Sequence, residues 1–499
     1  MRKKRLASNT ISSLLLQITT IICGFVLPKL ILSNFGSDVN GLVNSITQFL
    51  QIFAFLDLGV GAVFQSSLYK PLVDKDTIRL SEIYVSGQNF FSKLAKILLG
   101  YIVILIIVYP FLLNQKFDFI YISTLIIAMS VSSFAQYYFG MANGLFLTAD
   151  QRGYVQYNIQ IITLILNTLS CYILINLGAS IHVIKLITSF IYLIRPIVLK
   201  IYVDKHYSLN KKIVCKNEPI KQKWNGLAQH VASVVLDSTD TIVLTVFSTL
   251  SDVSIYSVYN LVISGLKQLF NAMTNGVQAL IGELYARQNI DELQKVFGWT
   301  EWLIHTMTTF IFGCAGVLII PFVLIYTSGI ADADYNQPIF SVILILAYAM
   351  YCLRLPYHIA IKAGVHYKET QHCYLIAALL NLFTSILLVA KLGLIGVAIG
   401  TLIAMTYQTI WMAIYDSKNI IYWPIEFFLK QLTVDILTSV IGVLFTANIK
   451  IIQYSYLKWF ILAIRVSFIW GIIVVFVNSV FYRENLKKLL KEIKKIVGK

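Results

Sequence analysis

The second half of the chain repeats the first at a nearly constant offset of about 215 residues, which restricts the fold to two like halves. Ser37-Asp38-Val39 recurs as Ser251-Asp252-Val253, and Leu68-Tyr69 as Leu284-Tyr285. Asn167 recurs as Asn381, and Leu177-Gly178 as Leu392-Gly393. The pairings keep a single order along the chain. Duplicated membrane chains place their binding site between the halves, so a transporter is expected before any side-chain chemistry is weighed.

The membrane itself follows from composition. The chain is 58% hydrophobic and 13% charged, where soluble domains are about a quarter charged. Apolar runs of spanning length recur from end to end, and the longest polar stretch, 204–223, is loop-sized. Cys23, Cys171, Cys215, Cys314, Cys352 and Cys373 show no metal-type or redox-type spacing and read as small core residues. The basic start, Met1 to Arg5, leads into an apolar segment that runs past Pro28 without a small-x-small cleavage site, so a retained first span is expected.

Segmentation gives an all-α integral membrane protein of about fourteen helices, among them 9–33, 42–69, 119–147, 254–285, 338–362 and 459–482. With the N-terminus in the cytoplasm, inner segments carry roughly 28 Lys and Arg and outer ones about four, namely Lys116, Lys391, Lys450 and Lys458. Both termini are therefore expected inside. An offset of six helices gives each half the same orientation, a parallel repeat. The expected organisation is a six-helix bundle over 1–203, a cytoplasmic linker over 204–223 and a second bundle over 224–416. Helices 13 and 14 follow over 417–482, then a basic amphipathic tail over 483–499. That tail sets Leu486, Leu489, Leu490, Ile493 and Val497 against lysines, as an interfacial helix does. The net charge of +16 sits mostly on inner loops, facing anionic lipid. No module for nucleic acid is visible.

Ionisable groups inside spans are costly and mark cavities or ion pairs. They are Lys29, Asp57, Arg195, Asp237, Asp240, Lys267, Glu301, His305, Arg354, Asp435 and Arg465. Projected through the repeat, Asp240 falls one turn from Lys29, and Asp57 one turn from Lys267. If the bundles face each other, these four point into the central cleft with Asp237 beside them; ion pairing or snorkelling is the bland alternative. Arg195 precedes Pro196, and Arg354 precedes Pro356 with His358 one turn on. A cation beside such a bend suits phosphate, or equally an interfacial anchor. Glu301 and His305 are an i,i+4 pair, read as hydrogen-bonded or as a proton relay. Enzyme signals are weak. There is no Gly-rich phosphate loop, Asp332 and Asp334 read as a solvated turn, and the histidines lack ligand spacing.

The stretch from Phe35 to Ile46, then Leu56 to Gly61, then Ser67 to Leu72 with Asp74 and Asp76, resembles the bacterial polysaccharide transporter family. These are oligosaccharide-lipid flippases of the multidrug/oligosaccharidyl-lipid/polysaccharide (MOP) exporter superfamily. Asp237 to Leu244 with Ser251 to Tyr256 resembles that family's seventh-helix region. The resemblance implies two six-helix bundles in a V, working by alternating access in the bacterial cytoplasmic membrane. It implies a substrate on undecaprenyl pyrophosphate, capsular or exopolysaccharide, moved from the inner to the outer leaflet. Cations would meet the pyrophosphate, and Gln48, Gln51, Gln65, Asn271 and Asn275 on helices 2 and 8 the sugar. Related lipid II flippases carry an Arg-Asp pair in the first helix, where Pro28-Lys29-Leu30 stands here. The alternatives are a lipid II flippase, a drug/cation antiporter of the same fold, and a membrane polymerase, which would want a large outer loop. No cofactor is expected; an H+ or Na+ gradient, or consumption of the product, would drive transport. Expected partners are the lipid-linked oligosaccharide, membrane lipids, a polysaccharide polymerase and glycosyltransferases.

Overall fold

The computed structural model describes residues 2–53, 60–113, 116–211, 213, 227–449 and 453–497, and among these there is no strand. In hydrocarbon every backbone donor and acceptor must be closed within the chain, so apolar runs of this length fold as helix. In order these are α1 (Arg2–Ile52), α2 (Val60–Asp74), α3 (Thr77–Leu112), α4 (Phe119–Ala135), α5 (Met141–Ala149), α6 (Gly153–Asn176), α7 (Ile181–His206) and α8 (Leu227–Phe247). There follow α9 (Leu250–Ala286), α10 (Ile290–Tyr326), α11 (Pro338–Leu353), α12 (Leu355–Ala363), α13 (Tyr367–Leu392), α14 (Leu394–Asn419), α15 (Ile425–Thr446), α16 (Tyr456–Phe481) and α17 (Arg483–Val497). Twelve helical stretches among the described residues are long and apolar enough to cross a membrane. The chain is a multi-pass membrane protein.

Three predicted boundaries change. The expected break at 34–38 is a kink inside α1, with Gly36 at φ 81 and ψ 176, so the predicted helices 9–33 and 42–69 join without a loop. Only glycine takes that conformation without a Cβ clash. The predicted helix 119–147 is α4 and α5 linked by a π-helical turn, Gln136–Gly140, the kind of local insertion that redirects a helix. The predicted helix 338–362 divides at Arg354, where Pro356 cannot supply the next backbone donor.

The chain forms two compact units, Met1–Ser254 and Ile255–Lys499. The first takes in α8, the seventh helix of the sequence count, and the contact that holds it there joins the two copies of the repeat. Ser251 Oγ donates to Asp38 Oδ1 at 2.8 Å, and Asn40 Nδ2 donates to Ser254 Oγ at 2.7 Å. Residues close to one repeat offset apart thus bond to each other. Ser45 Oγ lies 2.6 Å from Thr245 Oγ1 and accepts from Tyr109 at 2.7 Å, which satisfies every hydroxyl in this buried seam. Gly41 is what lets the backbones approach, because a Cβ there would stand 1.8 Å from the Leu250 carbonyl oxygen. At the chain start, Arg5 lies 3.5 Å from Asp150, which also pairs with Arg152 at 3.0 Å and accepts from Tyr207. Burial, with that carboxylate beside it, pushes the Tyr207 phenol well up.

In the second unit α13 and α14 form a tight hairpin turned at Gly393 (φ 51), matching the α6–α7 hairpin turned near Gly178 (φ 75). Cys171 bonds to Asn167 in α6 as Ser385 bonds to Asn381 in α13, so the repeat extends to side-chain contacts. The added pair, α15 and α16, packs on α10. The Trp470 indole fills the space over Gly313 and Gly442, where a Cβ would come within 2.2 Å and 2.4 Å of its ring. Trp302 Nε1 donates to Asn478 Oδ1 at 2.8 Å across the same interface.

Gly41→Ala is expected to lower stability by roughly 1–3 kcal/mol through overpacking, read as thermal unfolding in detergent. Gly24→Ala, with nothing within 4 Å of its added carbon, is the control and should leave the transition in place. Equal midpoints for the two variants would contradict the close approach of α1 to the start of α9.

Candidate functional site

The second unit gathers cations on one aromatic platform. Tyr348 and Tyr351 stand three residues apart on α11, on one face, with ring centroids 6.3 Å apart. Lys267, from α9, places Nζ 4.7 Å from the Tyr351 centroid and 6.0 Å from that of Tyr348. Arg354, at the break between α11 and α12, places Cζ 4.6 Å from the Tyr351 ring. The Tyr351 hydroxyl donates to Asn271 Oδ1, one turn along α9 from Lys267, at 3.4 Å. Two like charges on one ring repel, and the negative ring face offsets only part of that, worth about 0.5–2 kcal/mol per cation.

The break at Arg354 extends the array. Arg354, His358 and Lys362 recur every fourth residue, so α12 carries them along one face. His358 interacts electrostatically with both Arg354 and Lys362, and Tyr374 from α13 fixes its ring through a 2.6 Å contact to Nδ1. Arg354 is only 7% exposed, and its Nε has no hydrogen-bond partner. A buried guanidinium with an unused donor beside further bases suits an anion with several oxygens. Lys267, Asn271 and Arg354, three of the residues picked out by sequence, therefore meet here. Tyr348, Tyr351 and Lys362 were not picked out. Aromatic spacing at i,i+3 and the four-residue recurrence of bases were the available signals.

The other sequence candidates lie elsewhere. Lys29 on α1 is half-buried and Asp240 on α8 is buried, on helices that pack together within the first unit; Asp237 is exposed. Arg195 donates from Nε to Thr163 at 2.6 Å and stacks 4.1 Å over Tyr192, which ties α6 to α7. Gln65 donates to Tyr69 at 3.0 Å, Gln48 is half-buried and Gln51 exposed. Asp57 and the Asn275 side chain lie outside the described residues. Arg465 is exposed on α16. Asp334 closes a turn by accepting from the Asn336 amide at 2.9 Å. Among the described residues no group of His, Cys, Asp and Glu could hold a metal ion.

Glu301 and His305 need a correction. They do not bond to each other; each is satisfied by its own partners on other elements. Glu301, fully buried, accepts from Tyr357 of α12, from Trp423 Nε1 at 2.9 Å and from Gln431 Nε2 at 3.5 Å. His305 Nδ1 lies 2.5 Å from Asp435 Oδ2 on α15, whose other oxygen accepts from Thr309 at 2.8 Å. Sharing a helix face put both residues toward the same neighbours without pairing them.

No protein-family model and no curated protein matches the sequence. Solved structures do match. The lipid II flippase MurJ in an inward closed conformation aligns over 95% of this chain and 99% of its own, with TM-score 0.71 and 15% identity. A eukaryotic MATE transporter aligns over 83% and 96%, with TM-score 0.59 and 12% identity. A MOP superfamily transporter from Pyrococcus furiosus aligns over 82% and 95%, with TM-score 0.57 and 12% identity. The chain shares the fold of these solved transporters. In that fold the eight-residue step from Arg354 to Lys362 spans about 12 Å of helix, room for more than one phosphate.

Inorganic pyrophosphate should bind the solubilised protein, and Lys267→Ala should weaken it roughly tenfold, the loss of one charge-assisted contact. Gln65→Ala should leave it unchanged. Calorimetric titration checks both; equal affinity in wild type and Lys267→Ala would remove Lys267 from the site.

Proposed function

We propose that this protein is a flippase for oligosaccharide repeat units linked to undecaprenyl pyrophosphate, moving them from the inner to the outer leaflet by alternating access. The observation that carries this reading is the basic ladder, Lys267 and Arg354 on the Tyr351 ring with His358 and Lys362 continuing it. A pyrophosphate offers several oxygens and more than one negative charge, and such a group is best held by fixed, desolvated donors. Tyr348, Tyr351 and Asn271 supply ring faces and amide groups of the kind that recognise sugars. The lipid tail would stay in the bilayer while the headgroup crosses, which spares the protein a cavity for the polyprenyl chain.

The fold shared with solved transporters supports transport, and a duplicated membrane chain is the kind of scaffold that transporters use. The excess of Lys and Arg on alternate loops favours a bacterial cytoplasmic membrane with both termini inside. A drug/cation antiporter is less well supported, because a ladder of bases repels a cationic substrate. The second reading is a lipid II flippase, favoured by the alignment with MurJ over 95% of the chain. It would share the pyrophosphate contacts, and the sugar-peptide headgroup would be the difference. Pro28-Lys29-Leu30 in place of the Arg-Asp pair makes a capsular or exopolysaccharide unit the better fit. A polymerase and glycosyltransferases would act on either side of the step.

In proteoliposomes, fluorescent lipid-linked oligosaccharide should exchange leaflets faster than in protein-free vesicles. Arg354→Ala and Lys267→Ala should each cut the initial rate by about tenfold or more at unchanged protein abundance. Exchange no faster than in empty vesicles would sink the flippase reading. Faster exchange of lipid II than of an oligosaccharide lacking peptide would move the assignment to the second reading.

A further inference from the structure

Beside the basic ladder on α12, Tyr357 reaches a second buried site. A water-sized cavity lies between α10, α14 and the turn into α15, lined by Glu301, Tyr357, Asp416, Ser417, Trp423 and apolar neighbours. Two carboxylates border it, and their surroundings differ. Glu301 has three donors on its oxygens, from Tyr357, Trp423 and Gln431. Asp416 is 1% exposed, and neither of its carboxylate oxygens has a hydrogen-bond partner.

A carboxylate removed from water without any donor is several kcal/mol less favourable than one that is compensated. Asp416 therefore requires a positive charge from outside the chain. Bases near it do not supply one: no Lys, Arg or His forms an ion pair with it among the described residues. From α13 and α12 the titratable groups that interact with it are Tyr374 and Tyr357, and on its own helix Tyr415. Glu301 faces it from α10, with His305 one turn further on and paired to Asp435 of α15. Glu426 and Lys430 of α15 are exposed, and Arg354 at the end of α11 interacts instead with Tyr374, His358 and Lys362. A sodium ion would want a cage of free oxygens. Here the Glu301 oxygens are already engaged and the space is that of one water, so a proton fits better.

We propose that Asp416, facing Glu301 across this cavity, is a proton-binding site that is coupled through α12 to the anion-binding ladder. A proton taken from water onto one Asp416 oxygen neutralises it and leaves an O–H to donate across the cavity toward Glu301. Loss of that proton leaves a negative charge that acts on Tyr357, and so disturbs the donors that hold Glu301. Tyr357 is one of them, and it sits between Arg354 and His358 in sequence on the same short helix. Loading the site therefore biases α12, and with it the ladder. By reciprocity, an anion on the ladder changes the affinity for the proton. This inference rests on the transport reading for its purpose, though not for its test.

The test is infrared difference spectroscopy of the full-length protein in bilayers, stepped between acid and alkaline buffer. It reads the high-frequency C=O band of a buried carboxylic acid. Wild type should show that band; Asp416→Asn should lose it, and Asp416→Glu should retain it at a shifted position. Adding inorganic pyrophosphate should shift its midpoint in wild type and not in Arg354→Ala. A band unchanged in Asp416→Asn overturns the proposal. So does sodium removing the band at constant pH, which would make the site a metal-ion site. If Asp416→Asn does not fold, an unshifted band in Asp416→Glu overturns it equally. No oligosaccharide enters this measurement, so a failed flipping assay with a normal band rejects the substrate and leaves the proton site standing.

Discussion

A helix that crosses hydrocarbon closes its own backbone bonds, but a charge on its side chain has to find compensation inside the protein. Most of this architecture can be read as answers to that constraint. Arg195 is answered by the Tyr192 ring and Thr163, His305 by Asp435, and Glu301 by a phenol, an indole and an amide. The proposed function rests on the exceptions. Arg354 keeps a buried donor unused, and Asp416 keeps two buried acceptors unused. One lacks an anion and the other lacks a cation. Both stand on or against the same nine-residue helix, α12.

Duplication built the scaffold and then parted from the chemistry. The α6–α7 and α13–α14 hairpins share their positive-φ glycine and an Asn bonded one turn along to Cys171 or Ser385. The two copies of the Ser-Asp-Val segment lie against one another through Asp38, Asn40, Ser251 and Ser254. The basic ladder has no such counterpart. The first half is also interrupted at the equivalent place, the turn Gln136–Gly140, but the bases and Pro356 belong to the second half alone, and α15, which follows the repeat, supplies part of the cover for Glu301 and His305. The packing is copied between the halves and the charges are not.

Spans were legible because a run of twenty apolar residues has few other structural options. Three residues around the Tyr351 ring had been singled out by sequence as well. Lys267 and Arg354 are charges in apolar runs, and Asn271 shares a face with Lys267. The tyrosines between them were not, since an aromatic residue in a span is ordinary and only the approach of α9 to α11 makes a platform of Tyr351. Asp416 escaped for a different reason. It precedes Lys418 in the last turn of α14, where a carboxylate reads as the solvated end of a helix, and the covering turn through Trp423 is a tertiary contact. The pairing of Glu301 with His305 was misread because periodicity gives a shared face and not the neighbours that meet it. The kink at Gly36 was placed correctly and given the wrong form, a loop in place of a single left-handed residue.

The central claim is that the Tyr351 platform, with its flanking cations, holds the pyrophosphate of the transported lipid. Replacing Tyr351 with a photoreactive phenylalanine analogue and irradiating the protein in vesicles with radiolabelled undecaprenyl-pyrophosphate oligosaccharide tests it most directly. The account predicts labelling of the second unit that excess inorganic pyrophosphate abolishes. Labelling that pyrophosphate leaves intact, or none at position 351 while a probe at Gln51 in the first unit is labelled, would contradict it.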